Sequence, residues 1–157
     1  MAVNDLVAVD ASVAVKWLVE EDQSVFALAL LRNVQHDLNA VIVPPHFAGE
    51  VTNAVYQKLR TQDPVKHIAE AEARRAIANF RLIAQTSVRV IAEPEIYDDA
   101  LDFAQQHGLP SIYDALYVVL ARQLQVELWT ADRRLLNNIG SVAPWVRWIG
   151  DYPVTES

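Results

Sequence analysis

The sequence predicts an α/β protein, specifically a three-layer α/β/α sandwich with a mainly parallel central sheet. Short apolar runs that suit buried strands alternate with longer segments in which apolar residues recur every three or four positions. Prolines and a glycine stand at the joints between these segments, where they stop the preceding element. Strands that alternate with helices need crossover connections, which produce parallel strands covered by helices on both faces.

Five short apolar runs are predicted as strands, and in chain order they are residues 6–10, 40–43, 87–92, 126–130 and 146–149. Six segments carry the helical spacing of apolar residues, and they are residues 12–19, 24–36, 46–60, 65–85, 95–106 and 111–125. In the third of these, for example, Phe47, Val51 and Val55 recur every four residues and share one face. A further helix is expected to begin at Asp132, directly after the fourth strand.

Length and composition fit one compact domain over residues 1–157. With 157 residues and 52% hydrophobic composition, such a domain buries roughly 70% of its unfolded surface. The longest uncharged apolar runs, residues 25–31 and 115–121, are far shorter than the roughly 20 residues of a membrane span. The start MAVND lacks the features of a secretory signal, and the chain has no cysteine for a disulfide or thiolate metal site. We therefore expect a cytoplasmic protein.

The charge distribution leaves the question of a nucleic-acid partner open. A net charge of -7 argues against one, because phosphates are usually met by clustered Lys and Arg. Between residues 58 and 81, however, six basic residues against three acidic ones leave a local charge of +3; the basic residues are Lys58, Arg60, Lys66, Arg74, Arg75 and Arg81. This segment could contact phosphate, or it could be a solvated helix face with pairs such as Glu70 and Arg74.

Four acidic residues lie where loops and helix starts are expected along one edge of the sheet. Asp10 and Asp132 each end a strand and precede a helix, so each could simply cap that helix. Glu50 lies one turn into its helix and could be solvated. Asp114 ends SIYD (111–114), which fits a capping box.

As a group, the four acids point to a metal site. Carboxylates brought close together repel each other unless a cation lies between them. Oxygen ligands select hard cations, here Mg²⁺ or Mn²⁺, whereas the scattered histidines and absent cysteines argue against zinc. Ligands of parallel sheets bind beyond the carboxyl ends of the strands, which is where these acids are expected.

Four segments resemble the PIN-domain ribonucleases of the VapC toxin group, and together they cover nearly the whole chain. They are VDASVAVKWLVEE (9–21), Pro44 through GEVTNAV (49–55), LPSIYDALYVVLAR (109–122) and LWTADRRLL (128–136). The resemblance implies a PIN-like fold and a catalytic, metal-binding quartet of Asp10, Glu50, Asp114 and Asp132. It also implies that Ser12 and Thr130 are supporting hydroxyls. His46 and Phe47 stand where the family pattern leads us to expect more aliphatic residues.

The resemblance further implies a metal-dependent endoribonuclease, a homodimer, and a cognate VapB-type antitoxin that blocks the site. Attack by water on the phosphodiester would leave 5'-phosphate and 3'-hydroxyl ends. For RNA contact we expect Arg74 and Arg75, with Lys16 and Arg133 as further candidates near the acids. Apolar residues on the first two helices could either pack in the core or form a groove for an amphipathic peptide; they are Trp17, Leu18, Phe26 and Leu30.

Other functional classes fit the residues less well. A haloacid-dehalogenase-type phosphatase needs a second Asp two residues after the first, where this chain has Ser12. A receiver domain needs a Lys near a late strand, and none follows Lys66. The remaining alternative is a module that binds RNA or a partner and blocks translation without cleavage.

Overall fold

The central feature of the computed structural model, which describes residues 6–35 and 37–155, is a sheet of five parallel strands. The strands are β1 (Val7–Val9), β2 (Val41–Val43), β3 (Val88–Val90), β4 (Leu128–Thr130) and β5 (Val146–Trp148). Their order is β3-β2-β1-β4-β5, and all four neighbouring pairs are parallel. The predicted fold class is confirmed, and each strand lies within its predicted segment.

Seven α-helices connect the strands, and they are α1 (Ala11–Leu18), α2 (Ser24–Val34), α3 (Phe47–Arg60), α4 (Glu70–Thr86), α5 (Ile96–His107), α6 (Ile112–Leu124) and α7 (Arg133–Ile139). A short 3-10 helix, Ile149–Asp151, follows β5 and was not predicted. The predicted end of the second helix at His36 lies outside the described residues.

The fourth helix begins five residues later than predicted. Asp63 forms a turn in which its side chain accepts from Val65 N at 2.9 Å and its carbonyl accepts from His67 N at 2.9 Å. Val65 is 90% exposed, so its apolar side chain does not extend the buried face of α4. The apolar spacing at 65–69 was therefore misread as helical.

Helices cover both faces of the sheet. Every residue of β2 and β4 is buried, which requires packing on each side because successive side chains point to opposite faces. Helix α1 packs on α2, α3 and α4, whereas α6 packs on α5 and on strands β1, β2 and β4. Crossovers that run in opposite directions along a parallel sheet lie on opposite faces when both are right-handed. This arrangement gives the three predicted layers.

The core between the layers is aliphatic and aromatic. Its largest fully buried side chains include Phe47, Leu30, Ile96 and Leu128. The predicted face of α3 is correct, since Phe47, Val51 and Val55 are all buried. Within residues 6–35 and 37–155, the helices are all too short or too polar to cross a bilayer.

Candidate metal centre

The sheet topology brings several acids to the same edge. From β1 the chain moves to β2 and β3 on one side and later returns to β4 on the other. In parallel sheets, ligands bind at the carboxyl ends of the two strands between which the strand order reverses, and these are β1 and β4 here. Asp10 follows β1, and Asp132 lies two residues after β4.

Asp10 is buried at the start of α1, and it accepts three hydrogen bonds. Its Oδ1 accepts from Val13 N at 3.3 Å and from the Ser12 hydroxyl, and its Oδ2 accepts from the Thr130 hydroxyl. Burial raises the pKa of Asp10 to about 6 against the opposing effect of these donors, with a further raising contribution from Asp114. Asp10 is thus both an N-cap and a carboxylate that is easily protonated.

The two hydroxyls also connect the loops that carry Asp10 and Asp132. Ser12 Oγ accepts from Ala131 N at 2.9 Å, and Thr130 Oγ1 accepts from Asp132 N at 3.0 Å. The two hydroxyl oxygens are 3.4 Å apart. Ser12 and Thr130 therefore lie where supporting residues were expected, and they fix the β1–α1 junction against the β4–α7 junction.

Asp132 caps α7, as its position in the sequence suggested. Its Oδ1 accepts from Arg134 N at 2.9 Å and from Leu135 N at 3.2 Å. Among the described residues, no donor reaches Oδ2. One oxygen of Asp132 holds the helix and the other is available to a ligand.

Glu50 lies in the first turn of α3 and contacts two aromatic residues. Tyr117 donates its hydroxyl to Glu50 Oε1 at 2.7 Å, and His46 Nε2 lies 3.4 Å from the same oxygen. The geometry of the His46 contact is not that of a hydrogen bond, so this buried nitrogen has no partner among the described residues. Burial lowers the pKa of His46 against the opposing charge of Glu50, and burial together with Glu50 raises the pKa of Tyr117.

Asp114 lies in the first turn of α6, but it does not complete a capping box. Ser111 caps the helix by accepting from Tyr113 N at 3.1 Å. No donor from the described part of the chain reaches the Asp114 carboxylate. Burial, together with the charges of Asp132 and Glu50, raises the pKa of Asp114 to about 6. Asp114 is a carboxylate held near other acids without a protein partner to compensate it.

The oxygen donors of the quartet suit a hard divalent cation. The charges of Asp10, Glu50 and Asp132 all act on Asp114 or are acted on by it. Nowhere in residues 6–35 and 37–155, however, do three His, Cys, Asp or Glu side chains converge closely enough to hold one ion. Mg²⁺ commonly binds one or two carboxylates and keeps several waters. The residues fit such a cation if at most two of the acids bind it directly and the others act through water.

The predicted basic residues lie in different environments. Lys16 is only 8% exposed, and it donates to Glu21 at 2.9 Å, so its ammonium group is already paired. Lys58 donates to the same Glu21. Arg74 pairs with Glu70 at 2.6 Å on the surface of α4.

The other two predicted RNA contacts are exposed. Arg75 projects from α4. Arg133 begins α7 next to Asp132, and its guanidinium lies 3.6 Å from the ring centroid of Trp148. Stacking of this kind orients an exposed guanidinium without neutralising it. Arg133 and Arg75 therefore remain available to phosphate.

The apolar residues considered for a peptide groove pack in the core. Trp17 and Leu30 are buried, and Trp17 Nε1 donates to Ala27 O at 2.9 Å. Leu18 and Phe26 are partly buried against the same cluster. The packing interpretation of these residues was the correct one.

Two residues that contact the quartet were not predicted. Tyr117 is three residues after Asp114, a spacing that places both on one face of α6, and this spacing could have identified it. His46 was noted only as a departure from an aliphatic pattern. Its proximity to Glu50 depends on the helical turn between positions 46 and 50.

Comparisons with known proteins agree with this geometry. The model of the PIN domain family matches residues 7–140. Among solved structures, the chain is similar to the crystal structure of PAE2754 from Pyrobaculum aerophilum, with 20% identity, coverage of 92% of this chain and 91% of that chain, and a TM-score of 0.59. No curated protein matches the chain. The family match spans most of the sequence, so this chain belongs to the PIN domain family, whose members are typically metal-dependent nucleases.

Proposed function

We propose that this protein is an endoribonuclease that uses Mg²⁺ or Mn²⁺ to cleave RNA by attack of water. The observation that carries the proposal is the position of Asp114, a half-buried carboxylate that no donor from the described residues reaches and that lies close enough to Asp132 and Glu50 for their charges to raise its pKa. A cation would remove the repulsion that raises this pKa. Membership in a family of typically metal-dependent nucleases supports the same chemistry.

The hydrogen bonds of each acid indicate its role in binding the cation. Asp10 is fixed by Ser12 and Thr130 and would be the anchored ligand. Glu50 has Oε1 occupied by Tyr117 and would present Oε2. No donor among the described residues reaches Asp114, so it would bind the cation directly or accept a hydrogen bond from the attacking water. Asp132 would act from its free Oδ2 through water.

A bound divalent cation supplies positive charge that acidifies water and stabilises the developing charge on phosphorus and on the leaving oxygen. The water oxygen forms a bond to phosphorus and gives up one proton to solvent, the bond from phosphorus to the 3' oxygen breaks, and the leaving oxygen takes a proton from solvent. The products carry 5'-phosphate and 3'-hydroxyl ends. The 2'-hydroxyl is not consumed.

RNA would be contacted by exposed cations, of which Arg133 is adjacent to the acid Asp132. Arg133 is oriented by Trp148 beside Asp132, and Arg75 is exposed on α4. Lys16 is the least suitable of the predicted contacts, because Glu21 already neutralises it and it is buried.

We propose more specifically that this nuclease is a VapC-type toxin that acts as a homodimer and is neutralised by a VapB-type antitoxin. Resemblance of the four sequence segments supports it. Induction of the chain in a bacterial host should arrest growth, and co-expression of its cognate VapB-type antitoxin should restore growth. Growth without arrest, from well-expressed and folded protein, would contradict the toxin assignment while leaving the nuclease proposal to its own test.

The nuclease test uses purified protein free of partners, incubated with total cellular RNA in Mg²⁺ or Mn²⁺ and in EDTA. Discrete cleavage should require the metal and should disappear in a double variant, Asp10→Asn with Asp114→Asn. A matched double variant, Asp98→Asn with Asp102→Asn, removes the same charge from an exposed face of α5 and should cleave normally.

The chemistry of the new ends provides a second readout. Products should be ligatable through a 5'-phosphate, whereas a 2',3'-cyclic phosphate would exclude attack by water. If folded wild-type protein binds RNA and leaves it intact in both metals, the protein is the non-cleaving module considered above.

A further inference from the structure

A row of three aromatic rings leads from the surface to the acidic quartet. Tyr113 directly precedes Asp114 and is 52% exposed. Its ring centroid lies 4.9 Å from that of His46, which in turn lies 4.9 Å from that of Tyr117. Tyr117 is buried and donates to Glu50. We call Tyr113, His46 and Tyr117 the aromatic row.

The inner members of the aromatic row hold its outer member in place. Tyr117 is fixed by burial and by its hydrogen bond to Glu50, and His46 packs edge-on against it at 69°. Tyr113 then lies against His46 at 42°. No hydrogen bond from the described residues ties down the Tyr113 hydroxyl. Tyr113 is thus an exposed ring that is held in place by packing against His46.

The charges around the aromatic row select what can bind there. Asp114 follows Tyr113, and Asp132, Glu50 and Asp10 act on the same region. Unless a bound cation offsets them, these acids repel an anionic group but not a neutral planar one. Nucleobases are neutral, and unpaired bases of RNA stack on Tyr and His side chains.

From these contacts we infer that Tyr113, supported by His46, stacks against an unpaired nucleobase of the RNA substrate. The inference rests on the proposed nuclease function and adds to it a base-stacking residue outside the acidic quartet. Tyr113 contacts His46, whose Nε2 lies 3.4 Å from Glu50 Oε1, so a base on Tyr113 would belong to a nucleotide close to the acids. A base paired in a helix is already stacked and cannot occupy this position.

The test measures RNA binding without cleavage in an Asp10→Asn background. Fluorescence anisotropy gives the Kd of a labelled single-stranded 10-nucleotide RNA and of versions with one abasic residue at each position in turn. One abasic position should weaken binding about ten-fold, within the range for base stacking on an aromatic side chain. Adding Tyr113→Ala should weaken binding of the intact RNA by a similar factor and abolish the effect of the abasic residue. Tyr113→Phe, which keeps the ring, should behave as the parent.

Tyr97→Ala is the matched control, since Tyr97 is 48% exposed and lies at the other end of the α5–α6 pair. There Asp99 Oδ2 accepts from Gln123 Nε2 at 3.0 Å, near the end of α6 opposite Tyr113. The control should retain the abasic effect. Thermal unfolding of each variant establishes that it is folded.

Two results would overturn the inference alone. In the first, the abasic residue weakens binding to Tyr113→Ala as much as it weakens binding to the parent. In the second, the abasic effect is again unchanged and Tyr113→Ala also alters the molar mass of the protein in solution, which would assign the ring to a contact between protein chains. In both cases RNA still binds, and the nuclease proposal stands. Failure of the folded parent and of the wild-type protein to bind any single-stranded RNA would overturn the inference and the proposed function together.

Discussion

Thr130 Oγ1 donates a hydrogen bond to Asp10 Oδ2, although the two residues are 120 positions apart in the sequence. The bond crosses from the end of β4 to the end of β1, which are neighbouring parallel strands. The Ser12 hydroxyl donates to the other oxygen of the same carboxylate. Asp10 therefore enters the site with both oxygens oriented by the protein, whereas Asp114 has no donor from the described residues.

Thr130→Val keeps the shape of the side chain and removes its hydroxyl. We expect at least a ten-fold loss of metal-dependent cleavage, because Asp10 loses a donor and Asp132 N loses its acceptor at 3.0 Å. We also expect a loss of about 1–3 kcal/mol in the free energy of unfolding, since buried polar groups are left unpaired. Cleavage rates and urea denaturation measure the two effects. Thr52→Val, on the exposed face of α3, is the control, and equal activity in the two variants would contradict the role of Thr130.

Metal binding should weaken below about pH 6. Burial raises the pKa of both Asp10 and Asp114 to about 6, so protons compete with the cation as the pH falls through that value. The affinity for Mn²⁺ should fall about ten-fold per pH unit for each carboxyl that binds it directly. Isothermal titration calorimetry from pH 5 to pH 8 measures this, and a flat profile would show that neither group changes protonation on binding.

Asp114→Asn should stabilise the metal-free protein at neutral pH. The folded state holds the Asp114 proton more tightly than the unfolded state, because the folded pKa is raised from 3.8 to about 6. The ionised Asp114 carboxylate therefore lowers the free energy of unfolding above pH 6, and this destabilisation vanishes below pH 3.8. Partial solvent exposure reduces the expected gain to about 1 kcal/mol.

Urea denaturation in EDTA at pH 8 and at pH 3.5 tests this expectation. The gain should appear at pH 8 alone, and Asp98→Asn on the exposed face of α5 should give no comparable gain. A destabilised Asp114→Asn protein at pH 8 would mean that the carboxylate is compensated in a way that the described contacts do not account for.

Glu21→Gln should destabilise the fold at neutral pH. Burial raises the pKa of Glu21, but hydrogen bonds and charges from Lys58 and Lys16 outweigh it and lower the pKa. The stabilisation is thus present above the unfolded pKa and is lost as the pH falls through the folded value. Loss of the carboxylate leaves two partly buried ammonium groups without a partner, at a cost of about 1–3 kcal/mol at pH 7.

Urea denaturation at pH 7 and pH 3 measures the Glu21 effect, which should be small at the lower pH. Glu70→Gln removes an exposed ion pair with Arg74 and should change the free energy of unfolding by at most about 0.5 kcal/mol. Equal losses in the free energy of unfolding for the two substitutions would show that burial of the lysines does not strengthen their interaction with Glu21.

Reversing Arg74 and Arg75 to Glu should weaken RNA binding and reduce its dependence on salt, because each phosphate contact releases counterions. Affinity for Mn²⁺ should not change, since neither arginine is part of the quartet. The control is Arg147→Glu on β5, at the edge of the sheet farthest from β3. An unchanged salt slope would identify the basic stretch as a solvated helix face held by pairs such as Arg74 with Glu70.

The sequence determined the fold class and the position of every strand. Apolar runs must be buried, and their alternation with helical patterns leaves few arrangements other than a covered parallel sheet. It also placed all four acids at strand ends or in the first turns of helices, where local caps for Asp10 and Asp132 follow from neighbouring backbone groups. The predicted start of α4 was wrong, because the turn at Asp63 depends on one side chain rather than on a periodic pattern.

Only the tertiary structure decided which partner each acid has. Tyr117 reaches Glu50 across 67 positions, because α6 packs on β2, the strand that precedes α3. Thr130 reaches Asp10 across 120 positions, because β4 pairs with β1. Packing of α1 on α3 brings Lys16 and Lys58 together at Glu21, and the ring of Tyr113 lies against that of His46. Hydrogen bonds and charges act through space over a few ångströms, whereas a sequence pattern records only distance along the chain. The acids could therefore be found from the sequence, but their separate roles could not.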